Sequence, residues 1–441
     1  MNRIASLLSI ISCCLASSAG VQSHAWSLRE CCDYAVAHNI VVRQQENTCL
    51  QQELQLSTSK NQRLPDLSGS VGQNFSFGRG LTANNTYSNT NTSSTSFSIG
   101  TTVPLFTGFQ IPNQVKMNQL NLEAATADLE KAKNDVRMQV AQAYVQILYC
   151  MEIADVAHRQ ITIDSLQVVR LQTMVDNGKA SGAQLSQQCA TLANSRLTAT
   201  QADNNQALAV LTLTQLLELP TADGFAVERP VIGEDVQFSI PSPDIVYAEA
   251  LGLKPEIVAQ QLRLRASNRS IAIARAGYMP TLSLSGGLGS NYYTTSNFPS
   301  ESFGKQLKNN FSQYVGLNLS IPIFNRFQTR NSIRGAKIDQ QNQQLALDNA
   351  RKTLYKEIQQ TCLNASAAQS KYESSIAAAQ SSYDAFVLMQ AKYENGKANI
   401  TEFNEQKTLY LKSESDLVQA RYELLYQHAL LRFYRGQNLD F

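Results

Sequence analysis

The sequence predicts an internally duplicated α+β protein in which each half supplies a pair of strands and one long helical hairpin. Three features indicate this fold. Similar segments recur at a steady offset, four segments of about ten residues alternate apolar and polar side chains, and long stretches without Gly or Pro have apolar residues every seven positions. The chain of 441 residues is long enough for two or three ordinary domains.

The first 25 residues are typical of a secretory signal, with Arg3 before a short apolar core and Ser23-His24-Ala25 as a small-x-small cleavage site. We expect cleavage after Ala25, with Ala19 as a second option. A third interpretation is a lipoprotein signal acylated at Cys13, because Ile10-Ile11-Ser12-Cys13 loosely resembles a lipobox. The apolar core is too short to span ~30 Å of hydrocarbon, so the mature protein is expected to leave the cytoplasm.

Composition argues against several classes of function. The formal net charge is only +2, from 37 basic and 35 acidic residues, so no nucleic-acid partner is expected. His38, His158 and His428 have no acid or nucleophile at a spacing typical of a catalytic site, and the sequence has no Gly-rich phosphate loop. We therefore expect no enzyme activity and no cofactor.

Six cysteines follow the leader, and none of them forms a CxxC pair or has a histidine at zinc spacing. Most occupy apolar positions of helical patterns, so buried thiols are expected, with no metal site. They are Cys31, Cys32, Cys49, Cys150, Cys189 and Cys362.

The duplication is visible in three pairs of segments. They are 63–68 with 278–283, 103–106 with 321–324, and 177–180 with 395–398, at offsets of 215, 218 and 218 residues. The structural repeats are therefore predicted at 26–219 and 244–441. Between them, residues 220–243 contain several Pro and Gly residues and are predicted to form a linker.

Each repeat is predicted to begin with an amphipathic helix, near 28–62 and near 244–276, followed by a strand pair at 66–106 or 280–324. The strands themselves are expected at 66–77, 96–106, 281–291 and 314–323, with polar loops at 78–95 and 291–310. Their alternation suits a strand between lipid and water, but taken alone it favours a β-sandwich strand with one face in a core. No later segment has ~20 consecutive apolar residues, so any membrane-embedded part must consist of strands.

Long helical hairpins are predicted at 110–219 and 326–435. No Gly or Pro occurs from Asn113 to Asn177, which allows nearly 100 Å of helix. Apolar residues recur every seven positions, as expected of coiled-coil seams. The three series are Val140, Ile147, Ala154, Ile161, Val168, Val175; Ile358, Ala365, Tyr372, Ala379, Phe386, Tyr393; and Phe403, Tyr410, Leu417, Leu424, Leu431. An Asn-Gly turn then reverses each hairpin.

Four strands cannot close a barrel alone, and open sheet edges cannot lie in lipid, so the edges must be paired by other copies of the chain. Three copies would supply twelve strands, which is enough for an open lumen.

The chain also resembles a known family. Four segments, their order and the duplicated plan are similar to those of TolC-like outer membrane factors. The segments are Trp26-Ser27-Leu28-Arg29-Glu30, Ala35-Val36-Ala37-His38-Asn39, Val103-Pro104-Leu105-Phe106 and Ile321-Pro322-Ile323-Phe324. The resemblance implies a trimeric β-barrel with four strands per chain, continued by a long α-helical coiled-coil barrel in the periplasm.

The resemblance further implies a function and partners. The chain would be the outer-membrane exit duct of a tripartite efflux or type I secretion system, gated at its periplasmic tip. Its partners would be two further copies, outer-membrane lipid, a periplasmic adaptor (membrane fusion protein) and an inner-membrane pump. The alternative is a periplasmic coiled-coil scaffold or adaptor without a transmembrane channel.

The family closes its tunnel with acidic side chains after the second hairpin turn, and Glu402 and Glu405 stand where a family member has two aspartates. Their i, i+3 spacing puts both on one helical face; ordinary charge at a helix N-terminus is the alternative explanation. Tyr393 matches a latch tyrosine and could equally be a seam residue. Gln184 and Gln187 stand where the family often has Asp and Asn.

One position departs from the family pattern, since Ala398 replaces a latch arginine. Lys397 is the expected substitute. The turns are the expected adaptor-docking surface, although exposed turns are small and polar for local reasons as well. The docking residues are Asn177, Gly178, Lys179, Asn395, Gly396 and Lys397.

Overall fold

The computed structural model describes residues 25–81, 85–230, 239–296 and 299–439. Cys13 and the predicted leader before Ala25 lie outside the described residues. The elements follow the chain as β1 (Ala25–Trp26), α1 (Leu28–His38), α2 (Ile40–Asn61), β2 (Ser68–Leu81), β3 (Tyr87–Phe106), α3 (Gln110–Asp176), α4 (Gly182–Leu216), β4 (Ala226–Val227), α5 (Pro243–Leu253), α6 (Pro255–Ala276), β5 (Thr281–Thr295), α7 (Phe303–Asn309), β6 (Ser312–Ser320), α8 (Gln328–Glu394) and α9 (Ile400–Tyr434).

The four long strands form one antiparallel sheet in the order β2-β3-β5-β6. Apolar residues meet across it, for example Ile99 opposite Leu288 and Leu284 opposite Leu317. Large apolar side chains on the outer strands are exposed to solvent, including Val71, Phe75 and Val315. Within the described residues, β2 and β6 each have a partner strand on one side only.

The strands extend well into the segments predicted as polar loops, so that prediction is wrong for much of 78–95 and for the start of 291–310. β2 continues to Leu81 and β3 begins at Tyr87, because Ser, Thr and Asn pair across the ladder as well as apolar residues do. The Gln73 amide donates to Ser93 Oγ at 2.8 Å, and the hydroxyls of Ser70 and Ser98 are 2.7 Å apart.

The second predicted loop is partly helical, since α7 occupies Phe303–Asn309. The Gln306 side chain accepts from the Tyr293 amide and donates to the Tyr293 carbonyl, both at 3.0 Å, and so holds α7 against β5. β6 ends at Ser320, before the predicted end at 323, because Pro322 has no N–H for the ladder.

The helix predicted near 28–62 is interrupted. Asn39 is extended, with φ −61° and ψ 133°. Its side-chain oxygen accepts from Val41 N at 2.9 Å, and its amide donates to the Leu216 carbonyl at 3.0 Å. The second predicted helix, near 244–276, breaks in the same way at extended Lys254, because the following Pro255 disfavours the helical conformation before it.

The long helices confirm the coiled-coil pattern. α3 and α8 have 67 residues each, and α4 and α9 have 35 each. Most of the heptad residues are buried or half-buried, among them Val140, Ile147, Ile358, Phe403 and Leu424. The first hairpin is α3 with α4, and the second hairpin is α8 with α9.

The chain divides into two compact units. One is helical and comprises the described residues up to Arg43, Ala132–Ala250 and the residues from Tyr355 onward; the other comprises Gln44–Lys131 and Leu251–Leu354 and contains the sheet. The repeat and linker boundaries stay a prediction. Among the described residues, no helix combines the length and apolar character that a membrane crossing requires.

The helical unit also contains a short parallel pair, β1 with β4, in which Ala25 lies opposite Ala226 and Trp26 opposite Val227. The Trp26 carbonyl accepts from Glu228 N at 2.9 Å, and Tyr144 Oη lies 3.0 Å from the same carbonyl oxygen.

The cysteine prediction holds for four positions, since Cys31, Cys32, Cys150 and Cys362 are buried. Burial raises the pKa of the Cys31 thiol to about 12, so this thiol stays protonated. Cys49 is half-buried and Cys189 is exposed on α4, so the prediction, which concerned most of the six thiols, is confirmed for the majority.

Candidate functional site

The two helical hairpins reverse direction through turns of the same geometry. Gly178 and Gly396 both have φ +70°, which a residue with a Cβ rarely adopts. After each glycine, a backbone amide reaches back over the helix end at 2.8 Å, from Lys179 to the Met174 carbonyl and from Lys397 to the Lys392 carbonyl. This six-to-one bond is the Schellman motif, and it satisfies carbonyls that a helix end leaves open.

The asparagines before these glycines complete the helix ends. The side-chain amides of Asn177 and Asn395 each donate at 2.7 Å to a carbonyl four residues earlier. The predicted turn residues therefore have a full structural explanation in helix termination.

The returning helices begin with matching capping boxes. In the first hairpin, Ser181 N donates to Gln184 Oε1 at 3.0 Å, and Gln184 N donates to Ser181 Oγ at 3.3 Å. In the second, Asn399 N donates to Glu402 Oε2 at 3.1 Å, and Glu402 N donates to Asn399 Oδ1 at 2.8 Å. Glu402 therefore places a negative charge at the positive end of α9.

The two predicted gate acids have different surroundings. Glu402 binds its own helix N-terminus, whereas Glu405 is an exposed residue one turn further along α9. The equivalent residues of the first hairpin behave alike, with Gln184 in a cap and Gln187 exposed. The capping role of Glu402 is thus compatible with the predicted gate role, because a side chain that caps a helix can also face a lumen.

Tyr393 is held between the two hairpins. Its ring stacks on Phe403 with centroids 5.0 Å apart, and the Arg170 guanidinium lies 5.3 Å from its centroid. Arg170 also donates to the Glu394 carbonyl at 3.2 Å and forms an ion pair with the Glu394 carboxylate at 3.8 Å. Burial raises the pKa of the Tyr393 phenol although Arg170 opposes this, so the phenol is neutral at ordinary pH.

The arginine contributed by the first hairpin was missed, because the family pattern places the latch arginine after the second turn. Arg170 lies on α3 before the first turn, and its contact with Tyr393 depends on how the hairpins pack. An apolar group that we call the tip cluster surrounds this contact. Its buried members are Leu171, Phe386, Ile400 and Phe403.

A cleft of about 560 Å³ opens between the two turns, and Ala398 is part of its wall. Six of the predicted site residues line it, together with Arg170; they are Lys179, Gln184, Tyr393, Gly396, Lys397 and Glu402. The predicted residues Gln187, Glu405, Asn177, Gly178 and Asn395 are not part of its lining. Basic groups outnumber acidic ones in the lining of this cleft.

Comparisons with known proteins cover much of the chain. The model of a family described as outer membrane efflux protein matches residues 39–218 and 246–437. The chain is 29% identical over 247 residues to Protein CyaE of Bordetella pertussis, covering 55% of this chain and 48% of that protein. It is 22% identical over 392 residues to outer membrane efflux protein BepC of Brucella suis, covering 85% of this chain and 79% of that protein.

The chain spans about half the length of the first curated relatives it matches. Among solved structures, the Campylobacter jejuni CmeC outer membrane channel matches with a TM-score of 0.76 at 18% identity, covering 93% of this chain and 86% of that chain. At this identity the likeness concerns the fold.

Proposed function

Because the chain belongs to the outer membrane efflux protein family, we propose that it is the outer-membrane exit duct of a tripartite efflux or type I secretion system. The observation that supports this most strongly is the family match across both structural halves of the chain. The family predicted from the sequence is confirmed, and so is the predicted outer-membrane location. The family and the fold are those of channel proteins rather than enzymes.

The alternative, a periplasmic scaffold or adaptor without a channel, is not favoured. The matched family is that of outer membrane efflux proteins, and the matched fold is that of an outer-membrane channel. The chain also has two complete helical hairpins, each preceded by its own strands, which an adaptor with a single hairpin would lack.

The finer proposal is a homotrimer that closes a twelve-stranded barrel in lipid. Two observations support it. The outer strands β2 and β6 have open edges within the described residues, which further copies of the chain would pair. Large apolar side chains on the sheet are exposed, as expected of a surface that faces lipid.

The gate and docking proposals concern the tips of the hairpins. Glu402 and Glu405 of three copies would form a ring of six carboxylates that attracts cations to a constriction. The two Asn-Gly-Lys turns would form the docking surface for a periplasmic adaptor, which would link the channel to an inner-membrane pump.

Single-channel conductance in planar bilayers tests both the channel and the acidic gate. The variant is Glu402→Gln with Glu405→Gln, in which glutamine preserves the capping bond of residue 402. We expect the wild type to give a small, cation-selective conductance. We expect the double variant to lose most of its cation preference, because the ring would no longer be charged.

The control neutralises two acids on the same helix away from the tip, Asp416→Asn with Glu423→Gln, and should retain wild-type selectivity. Equal selectivity in all three proteins would remove the gate assignment and leave the channel. No conductance from folded protein in the bilayer would overturn the channel itself.

A further inference from the structure

A buried polar cluster joins the first hairpin to the second within the helical unit. Its members come from three helices: Gln160 and Asp164 of α3, Gln188 and Ser195 of α4, and Asn404 and Lys407 of α9. The side chains of Asp164 and Lys407 are 0% and 2% exposed, so this is a fully buried ion pair.

The Asp164 carboxylate is fully hydrogen-bonded. One oxygen accepts from Lys407 Nζ and from the Gln188 amide, the latter at 3.2 Å. The other accepts from Ser195 Oγ at 2.5 Å and from the Gln160 amide at 2.6 Å. A buried carboxylate tolerates its desolvation only with such complete pairing.

Asn404 links the remaining partners. Lys407 Nζ donates to Asn404 Oδ1 at 3.2 Å, and the Asn404 amide donates to Gln188 Oε1 at 3.2 Å. Every one of these contacts across the hairpins involves α9 on one side and α3 or α4 on the other. The cluster therefore couples the second hairpin to both helices of the first.

Apolar packing flanks the cluster on both sides. Towards the turns lies the tip cluster, whose Phe403 is one helical turn from Lys407. In the other direction lies a cluster of small residues that includes Ala154, Ala157 and Ala199. The ion pair thus replaces an apolar layer of the seam directly behind the aromatic contact that holds Tyr393.

Stability alone does not explain a charged pair at this position, because well-packed apolar residues usually serve as well or better. A buried polar pair does select one register, as single polar residues do in coiled coils. Sliding α9 by one turn would put Phe403 or Leu411 against Asp164 and leave both charges buried without a partner. The duplication does not repeat the pair, since the residues 218 positions away are Ser382 and Cys189.

We infer that the Asp164–Lys407 cluster fixes the register of α9 on the first hairpin and thereby positions the tip, so that movement of the tip requires this pair to break. The inference rests on the proposed function only in identifying the tip as the gate. Asp164 and Lys407 act through the tip cluster and are positioning residues.

Hydrogen–deuterium exchange of the purified full-length protein tests this directly. The variants are Asp164→Asn and Lys407→Met, each of which leaves one buried charge without its partner. We expect amide protection at 170–186 and 393–405 to fall by on the order of 100-fold, since breaking a buried pair is strongly destabilising. Protection in the sheet should stay at the wild-type level.

The matched control is Glu414→Gln, which removes the Arg159–Glu414 ion pair. That pair also joins α3 to α9, at 2.5 Å, but its side chains are 55% and 23% exposed. We expect less than a threefold change there, because exposed pairs contribute little. The double variant Asp164→Asn with Lys407→Met should regain much of the lost protection, as expected of two groups that pair directly.

Unchanged tip protection in both single variants would overturn the inference, and so would an equal loss of protection throughout the chain. If a single variant fails to fold, Ser195→Ala retains both charges and should still raise exchange at the tip by a few-fold. Exchange reports the tip without reference to conductance. Raised exchange with unaltered conductance would therefore support the positioning role and contradict the gate, whereas the reverse result would contradict the positioning role.

Discussion

At the scale of single residues, His428 on α9 makes the stability of the helical unit depend on pH. Burial, with Arg432 one turn away, lowers the pKa of the His428 imidazole from 6.5 to about 4. The unfolded chain takes up a proton near pH 6.5, whereas the folded chain resists it until about pH 4. With respect to His428, the free energy of unfolding is therefore highest above pH 6.5 and falls as the pH drops from 6.5 to about 4.

We expect the thermal unfolding midpoint to be lower at pH 5 than at pH 7, and His428→Gln to reduce this difference. Circular dichroism of the helices at the two pH values is the measurement. His158→Gln, at a side chain that is 56% exposed, is the control and should leave the difference largely in place. An identical difference in wild type and His428→Gln would contradict the role of this imidazole.

Residue-scale prediction from the sequence succeeded where the signal was local. Glu402 lies at the helix N-terminus that the sequence offered as one explanation of its charge, and Tyr393 packs in the seam that its heptad predicts. Arg170 and Asp164 could not be found in this way, because their partners lie more than 200 residues away on the other hairpin. A charged residue in a heptad seam is itself a signal, and Lys407, four residues after Phe403, provides one.

At the scale of elements, the hairpin turns depend on glycine. We expect Gly178→Ala and Gly396→Ala to cost about 1 kcal/mol each, because both residues have φ +70°, which strains any Cβ. Gly182→Ala is the matched control, since this glycine begins α4 without a positive φ and has open space around it. It should be neutral or slightly stabilising.

Urea unfolding followed by circular dichroism measures these differences. Equal stabilities for Gly178→Ala and Gly182→Ala would show that the turn geometry imposes no such requirement.

The sequence was most informative about elements in which the heptad pattern of apolar residues repeats many times. Heptads extending over nine turns or more identify α3 and α8, since chance rarely sustains such a period. The breaks at Asn39 and Lys254 were missed because each depends on a single residue within an otherwise helical stretch. The strand ends were missed because Ser, Thr and Asn resemble loop residues in composition while forming a regular ladder.

At the scale of the whole molecule, the exposed apolar face of the sheet requires an apolar environment, which lipid would provide. We expect Leu317→Arg to reduce the amount of oligomer in the outer-membrane fraction, because arginine on a lipid-facing strand costs roughly 2–4 kcal/mol near the bilayer centre. Asn318→Arg changes the next residue, which points to the opposite face of β6, and should have a much smaller effect. Fractionation followed by gel analysis of unboiled samples compares the two. Equal losses would argue against a lipid-facing surface at Leu317.

The pairing of Trp26 with Val227 has a consequence for the order of folding. The partners are about 200 residues apart, whereas each helical hairpin closes through contacts of short separation, which form first. The strand pair can therefore form only after the chain up to Val227 has been exported. Trp26 thus stays without its partner strand until late in folding. The first hairpin and its preceding strands have to form without the help of this contact.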